Sequence, residues 1–375
     1  MELIYLTSKQ YPSRTADHFF AKEMALAFGE LLKDKLTLVL ANDFSEFFKE
    51  IKVVTTGLKN ERGRTLYYFF WLPLFIIKNG HNKKDTHFFS NDPNLLVNLI
   101  VLRKIFRFKY KVCSEWHMLF DDWRDKFIVK NSDFLVVTSH ILKGTILKGT
   151  GVIVRPERFL VVYGGVDVKK YGERDNLALR RELNLPENKI LIAYIGLFKT
   201  LGTSKGIDTM VGALRYLPEN VNMIFVGGRK EEIDDYKDKM TDTNLRERCI
   251  FVEKQDNQRV PLYQMAVDIL VIPSPNKPPF SNYLLPMKVY EYMASRKPIV
   301  FSNLPILREA LGDCGFSFIP EDSKDLAEKI SHIINDESGD VRQKIDLCCS
   351  KAGESSWAKR AEKIVGFFNK MMIYY

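Results

Sequence analysis

What this 375-residue chain lacks narrows its possibilities first. A membrane-spanning helix needs ~18 to 20 consecutive apolar residues, and no run approaches that; Leu66 to Ile77 (LYYFFWLPLFII) stops after twelve. The start, MELIYLTSKQ, has neither the basic stretch nor the small-residue cleavage site of a signal peptide, so a cytoplasmic location is expected. Cysteine is scarce and odd in number: Cys113, Cys249, Cys314, Cys348 and Cys349 form no CxxC pair, and no histidine stands at ligand spacing. Neither a disulfide framework nor a metal site is expected. Internal repeats are missing. So are the nucleic-acid motifs and the aromatic and basic strands that read RNA, and no nucleic-acid partner is expected.

What is present points to a two-core enzyme-sized protein. Hydrophobic residues make up 46% of the chain, and single cores stop growing near ~250 to 300 residues, so two domains of similar size are expected. The net charge of +9 is unevenly spread: residues 1–170 hold 27 Lys and Arg against 18 Asp and Glu, an excess that accounts for all of it. A basic first half suits an anionic surface, and a peripheral position on a membrane face is one expectation; a solvated lysine-rich surface without a partner is the other.

Along the chain, apolar strands alternate with helices, the pattern of parallel sheets built from βαβ units. The first half reads as strand LIYLT, helix DHFFAKEMALAFGELLK with Phe19, Met24, Leu26 and Leu31 on its buried side, then strands LTLVLAN, THFFS, KYKVCSEW and SDFLVVTS with helices between them. The turn-rich YGGVDVKKYGERDN separates the halves, and the second repeats the alternation from ILIAYIG to GFSFI. The expected fold is α/β, with domains at 1–168 and 169–355 and a final helix over 356–375. The segment Leu66 to Ile77 fits a buried core helix, twelve apolar residues being ordinary for a core. With Trp71, its tyrosines and flanking Arg64 and Lys78, it also fits a membrane-docking face.

Ligands of such sheets bind beyond the carboxyl ends of the strands, and the informative residues follow strands. In YLLPMKVYEYMASRKPIV a proline-entered helix carries Glu291 among apolar neighbours. The helix start at Pro286-Met287-Lys288, where Met287 and Lys288 offer free N–H groups, forms an anion site suited to a diphosphate. A carboxylate one turn further in could take both hydroxyls of the attached ribose, although on spacing alone a surface glutamate is the commoner case. In YIGLFKTLGTSKGIDTM, Gly196 allows close backbone approach, and Lys205, with Lys199, supplies charge for phosphate oxygens.

The full order, glycine-ended strand, Lys205-Gly206 into a helix, FVGG, PLYQMAVDILVIPS, PMKVYEYMASRKPIV and LREAL, resembles glycosyltransferase family 4. The likeness is densest over residues 190–320. It implies the GT-B fold, with two Rossmann-like doubly wound domains facing across a cleft and a C-terminal helix, here from Ser356-Trp357, crossing back to the first domain. It further implies a retaining, metal-independent hexosyltransferase. The co-substrate would be a nucleoside diphosphate sugar, UDP- or GDP-linked, and the acceptor a hydroxyl of a glycan or of a polyprenyl- or lipid-linked acceptor. By the resemblance Glu291 holds the ribose, Lys205 neutralises the leaving diphosphate, Tyr283, Leu285, Pro286, Met287 and Lys288 lie at the donor, and the helix start meets the phosphates with backbone N–H groups, which Pro286 itself lacks. Gly227, Gly228 and Gln255 lie where the base is lodged. His117, otherwise readable as a packed imidazole beside Trp116, corresponds to the histidine near the reacting centre.

Two departures stand out. The first glutamate of the family's pair would fall at Tyr283, and PSPNKPPFSNYLLP holds no acid. The glycine pair of the first loop is replaced by YPSRTADHFF, where Arg14 and Thr15 are the acceptor-side candidates. The gap at Tyr283 also admits an alternative, a catalytically silent GT-B protein that binds sugar nucleotides as a scaffold.

Overall fold

The computed structural model describes the whole chain except residues 9–15, 43–47, 49, 59–62, 201 and 375, and omits the side chains of 16, 17 and 372–374. Two compact units result: Met1–Gly165 with Trp357–Tyr375, and Val166–Ser356. The division falls at 165/166 and 356/357, a few residues from the turn-based boundaries.

The first unit runs β1 (Glu2–Leu6), α1 (Ala16–Leu32), β2 (Leu36–Leu40), β3 (Lys52–Thr55), α2 (Arg64–Lys78), β4 (Thr86–Ser90), α3 (Pro93–Phe106), β5 (Lys111–Trp116), α4 (Trp123–Asn131), β6 (Phe134–Val137), α5 (His140–Thr150) and β7 (Phe159–Val161). Among the described residues its seven strands are all parallel, in the order β3-β2-β1-β4-β5-β6-β7. Strands such as LTLVL and THFFS are buried on both faces, as parallel sheets require. Local chemistry sets helix ends: the Asp92 carboxylate accepts from Asn94 N–H (2.9 Å) and Leu95 N–H (3.2 Å) ahead of Pro93, and Ser139 caps α5 through Leu142 N–H.

The second unit runs α6 (Asn176–Glu182), β8 (Ile190–Ile195), a ribbon of β9 (Lys199–Thr200) and β10 (Thr203–Ser204), α7 (Ile207–Ala213), β11 (Val221–Gly228), α8 (Lys230–Lys239), α9 (Thr243–Glu247), β12 (Cys249–Glu253), α10 (Val260–Ala266), β13 (Ile269–Ile272), α11 (Lys288–Ala294), β14 (Ile299–Ser302), α12 (Pro305–Leu311), β15 (Phe316–Phe318), α13 (Ser323–Ile334) and α14 (Asp340–Glu354). The six-stranded sheet, β12-β11-β8-β13-β14-β15, is parallel throughout. Strand order reverses between β8 and β13, which makes the carboxyl end of β8 the switch point where ligands of such sheets bind. The α/β, doubly wound class expected from the sequence is the one found.

Helix α15 (Trp357–Tyr374) belongs to the first unit and packs along α1. Trp357 meets Phe20 at 5.0 Å and lies flat against Gly165, where an added Cβ would collide with its ring at 2.2 Å. That neighbour corrects the expected face of α1. Its core residues are Phe20, Ala21, Met24, Ala25 and Phe28; Leu31 is 41% exposed, and Phe19 and Leu26 are only partly covered. A helix with apolar residues on two sides has no unique stripe until its neighbours are in place.

The segment Leu66 to Ile77 departs from a core helix. Tyr68, Leu72, Phe75 and Ile76 of α2 are buried, whereas Leu66, Phe70, Leu74 and Ile77 are 63, 65, 71 and 58% exposed.

Candidate functional site

Three strand ends of the second unit converge on one cradle. Gly196, with φ +148°, turns the chain directly after β8, and its N–H donates to Val226 O of β11 at 2.7 Å. Gly227 lies so close that a Cβ there would meet Gly196 O at 2.5 Å, and a Cβ on Gly206, φ +79°, would meet Pro273 O at 2.1 Å. Each position therefore needs glycine, for a positive φ and for close backbone approach. Lys205, between the ribbon and α7, is tied down by its own N–H to Phe198 O at 2.9 Å.

Two lysines enter this space. The Lys205 ammonium stands over the Phe280 ring, 3.1 Å from its centroid, and the Lys288 ammonium over Tyr194, 3.7 Å from its centroid. Lys288 also reaches back to Gly196, where a Cβ would meet its Nζ at 2.3 Å. Among the described residues neither ammonium has a carboxylate within ion-pair reach. Burial pushes Lys205 down to about 8; burial, reinforced by the Lys205 charge, pushes Lys288 down to about 7. The Glu291 charge acts against the Lys288 shift without cancelling it, and two half-buried cations whose charges oppose each other are an unfavourable arrangement that an anionic ligand would relieve.

Glu291 sits one turn beyond Lys288 on α11, half-buried, with its Oε2 accepting from Gln264 Nε2 at 3.2 Å. Gln264 is in turn held by the Tyr171 hydroxyl, which donates to its Oε1 at 2.6 Å. Burial raises the Glu291 carboxyl, while Gln264 and the Lys288 charge act against the rise. Tyr292, next along the helix, anchors α11 to β8 by accepting from Ile195 N–H at 2.8 Å.

The other sequence candidates fall as follows. Leu285, Pro286 and Met287 form the approach to α11 and are partly exposed; Met287 takes the N-cap place without a side-chain cap. Tyr283 is buried in the preceding turn, its N–H on Pro279 O at 3.1 Å. Gln255 follows β12 beside Gly228, on which Lys254 N–H is anchored, and its Nε2 donates to Glu253 O at 3.1 Å. Lys199 is exposed on the ribbon, its charge acting on Asp235 of α8 rather than joining the two-lysine pair. Arg14 and Thr15 lie outside the described residues.

His117, in the first unit, follows β5 directly. Its ring meets Phe20 edge-on at 4.3 Å, and its Nε2 lies 3.5 Å from Glu115 Oε2. Glu115 is fully buried and ion-paired with Arg360 of α15, whose Nη1 also donates to Val162 O at 2.6 Å and to Tyr163 O. Burial alone would raise the Glu115 carboxyl; Arg360 and His117 outweigh it and hold it below the usual carboxylate range.

Sequence reasoning gave Lys288 only a backbone role and missed Gln264, Tyr171, Glu115 and Arg360. A signal existed for two of them. Lys288 and Glu291 are three apart on a helix and share a face, and Glu115 and His117 are two apart at a strand end, which puts both side chains on one side.

Two doubly wound units, the second with a glycine-walled cationic cradle at its switch point, define a protein of the GT-B glycosyltransferase fold. Residues 175–346, most of the second unit, match the family model of glycosyl transferases group 1, which bears out the resemblance to glycosyltransferase family 4. The chain is 24% identical to a D-inositol 3-phosphate glycosyltransferase of Mycobacteroides abscessus over 59% of its own length and 48% of the relative's. It is 22% identical to the O-antigen chain mannosyltransferase RfbU of Salmonella typhimurium over 75% of its length and 74% of that protein's. It spans between 37 and 49% of the length of the D-inositol 3-phosphate glycosyltransferases it matches. Among solved structures, Anabaena HepE in complex with UDP superposes with a TM-score of 0.75 at 18% identity, covering 99% of this chain and 100% of that one. No described helix is long and apolar enough to cross a membrane.

Proposed function

We propose that this protein is a retaining glycosyltransferase that moves a hexose-type sugar from a UDP- or GDP-linked donor to a hydroxyl of a glycan or lipid-linked acceptor, working peripherally at a membrane face. The observation that carries the donor half is Lys288 reaching back to Gly196 at the end of β8, with Lys205 held over Phe280 close enough for its charge to act on Lys288 and with Glu291 one turn further along α11. In this reading the two ammonium groups take the diphosphate oxygens, without a metal, and Glu291, pre-positioned by Gln264, accepts from the ribose hydroxyls. The bond from the anomeric carbon to the diphosphate oxygen breaks and a bond to the acceptor oxygen forms on the same face. The hydroxyl proton passes to the departing diphosphate, whose charge the lysines hold. His117, 3.5 Å from Glu115 and edge-on to Phe20, is assigned to the sugar. HepE, solved with UDP, and RfbU, named an O-antigen chain mannosyltransferase, support the nucleotide and glycan parts by analogy.

A thermal-shift panel of UDP, GDP and ADP and their sugars tests the donor assignment. A ligand at 100 times its Kd stabilises by about 2.7 kcal/mol, which for a unit of this size is roughly 5 to 10 °C in Tm. A shift confined to one base identifies the nucleotide. No shift with any of them would remove the reading.

The lysines also give binding a pH signature. Both are depressed below the ordinary lysine value in the folded protein. The unfolded chain therefore binds more protons above about pH 7, and the ligand-free second unit gains stability as pH rises from there towards the unfolded lysine value. A bound diphosphate favours the charged forms and reverses both shifts. Nucleoside diphosphate affinity should accordingly fall as pH rises from about 7 to 9, with net proton uptake on binding, measured by calorimetry in buffers of different ionisation enthalpy. Affinity independent of pH would contradict a two-lysine phosphate site.

A further inference from the structure

We infer that the exposed face of α2 is the element by which this protein docks on an anionic membrane surface. The inference deepens the peripheral-membrane part of the proposed function and is independent of the donor chemistry. Between Arg64 and Lys78 the helix has no acid and no other charge, and it is apolar on both sides. A helix apolar all round is normally buried on all sides. Here one side packs into the unit while Leu66, Phe70, Leu74 and Ile77, spaced four, four and three apart, form a continuous strip that nothing among the described residues covers. With Gly63, Tyr67 and Trp71 the strip makes a shallow apolar groove. Trp71 is partly exposed and stacked on Phe75 at 4.8 Å, a rigid aromatic beside the strip.

Charge identifies the partner. The strip's carboxyl end opens on a basic rim, because the loops after α2 and α3 are joined by Lys109 N–H on Asn82 O at 3.0 Å. Lys78, Lys83, Lys84, Arg107 and Lys109 are all exposed there, beside the exposed Ile105 and Phe106, while Lys104 turns to Asn131 of α4. From Gly63 to Lys111 the only acids are Asp85 and the buried Asp92. An apolar strip of about three turns flanked by cations, and too short to span, matches a helix lying in the headgroup region of anionic lipid. A second copy of this chain would leave the basic rim without an anionic partner, which a lipid surface of opposite charge supplies.

The test is co-sedimentation of the full chain with vesicles of phosphatidylcholine alone and of phosphatidylcholine with phosphatidylglycerol, at low and high salt. Binding is expected to the anionic vesicles, weakened several-fold at 0.5 M salt, and at least about tenfold weaker in Phe70→Ser/Leu74→Ser. Both substituted residues are more than 60% exposed, so circular dichroism and nucleotide-induced thermal shifts should match the parent. If the parent binds and the double variant binds equally well, the docking face is elsewhere and this inference fails while the membrane reading stands. If the parent binds no vesicle, both fail. Concentration-dependent dimers in solution that the double variant abolishes would overturn the inference in favour of self-association.

Discussion

Lys288→Met is expected to lower sugar transfer by about 10²- to 10³-fold, as much as Lys205→Met. Removing one preorganised group that stabilises developing negative charge commonly has an effect of that size, and under the proposed function the departing diphosphate would have two such groups. Both ammonium groups are held before any ligand arrives: Lys205 over Phe280, Lys288 over Tyr194, whose hydroxyl donates to Leu197 O at 2.7 Å. Methionine keeps the length and apolar packing of the stem, so the loss should be in transfer rather than in folding. In the ligand-free state each single variant should even raise thermal stability near pH 7, because a partly buried cation without an anionic partner is removed. The measurements are single-turnover rates with the donor identified by thermal shift, and nucleoside diphosphate affinity by calorimetry. Full activity in Lys288→Met would show that Lys288 does not serve the diphosphate, and Lys205 would then have to act with backbone amides alone. Gly196→Ala should resemble Lys288→Met, since the added methyl would occupy the position of the ammonium at a φ of +148°.

The second large effect is structural. Arg360→Met should destabilise the first unit by about 3 to 5 kcal/mol, the range seen when one partner of a buried ion pair is deleted. Glu115 would be left without its partner at full burial, and Val162 O and Tyr163 O would each lose a donor. For a unit of this size the melting transition should drop by roughly 6 to 20 °C. Replacing both members, Glu115→Leu with Arg360→Met, should recover much of the loss, because no buried charge remains. The pH dependence has the opposite sign to that of the lysines. A carboxyl held below its unfolded value contributes stability above the ordinary carboxylate range and loses it as pH falls through its folded value. The first unit should therefore be the more acid-sensitive of the two through Glu115, and Arg360→Met should flatten that acid limb. A change under about 1 kcal/mol in Arg360→Met would mean that Glu115 is satisfied by His117 alone.

The same pair ties the end of the chain to the strand that presents His117. The transfer rate of the double replacement therefore separates a structural from a positioning role: stability recovered but activity lost would assign Glu115 to holding the imidazole.

Some features were legible in the sequence because they depend on neighbours along the chain. Apolar runs such as ILIAYI and VNMIFVGG fit only strands buried on both faces, and glycines at their ends mark close backbone approach. Other elements escaped notice for physical reasons. Helix α8, KEEIDDYKDK, is almost wholly charged and shows no apolar stripe beyond Ile233 and Tyr236, and α14 buries only Cys348 and Ala352. The ribbon of β9 and β10 has two residues in each strand, too few for any periodicity. In α1 and α2 the residues are apolar on more than one side, so the spacing fits several burials; α1 gained a second neighbour in α15, whereas the outer side of α2 gained none among the described residues.

Sequence by itself determined that strands and helices alternate in two doubly wound units and that a glycine follows the first strand of the second. It also placed Lys205 and Glu291 at strand-to-helix junctions, because hydrophobic period and turn chemistry are local. Only the tertiary structure decided that Lys288 turns its ammonium back to Gly196, that Gln264 and Tyr171 orient Glu291, and that Arg360 lies buried on Glu115. Those meetings depend on which strands lie side by side and which helix covers them, and partners that far apart in the chain leave no mark in the spacing of either.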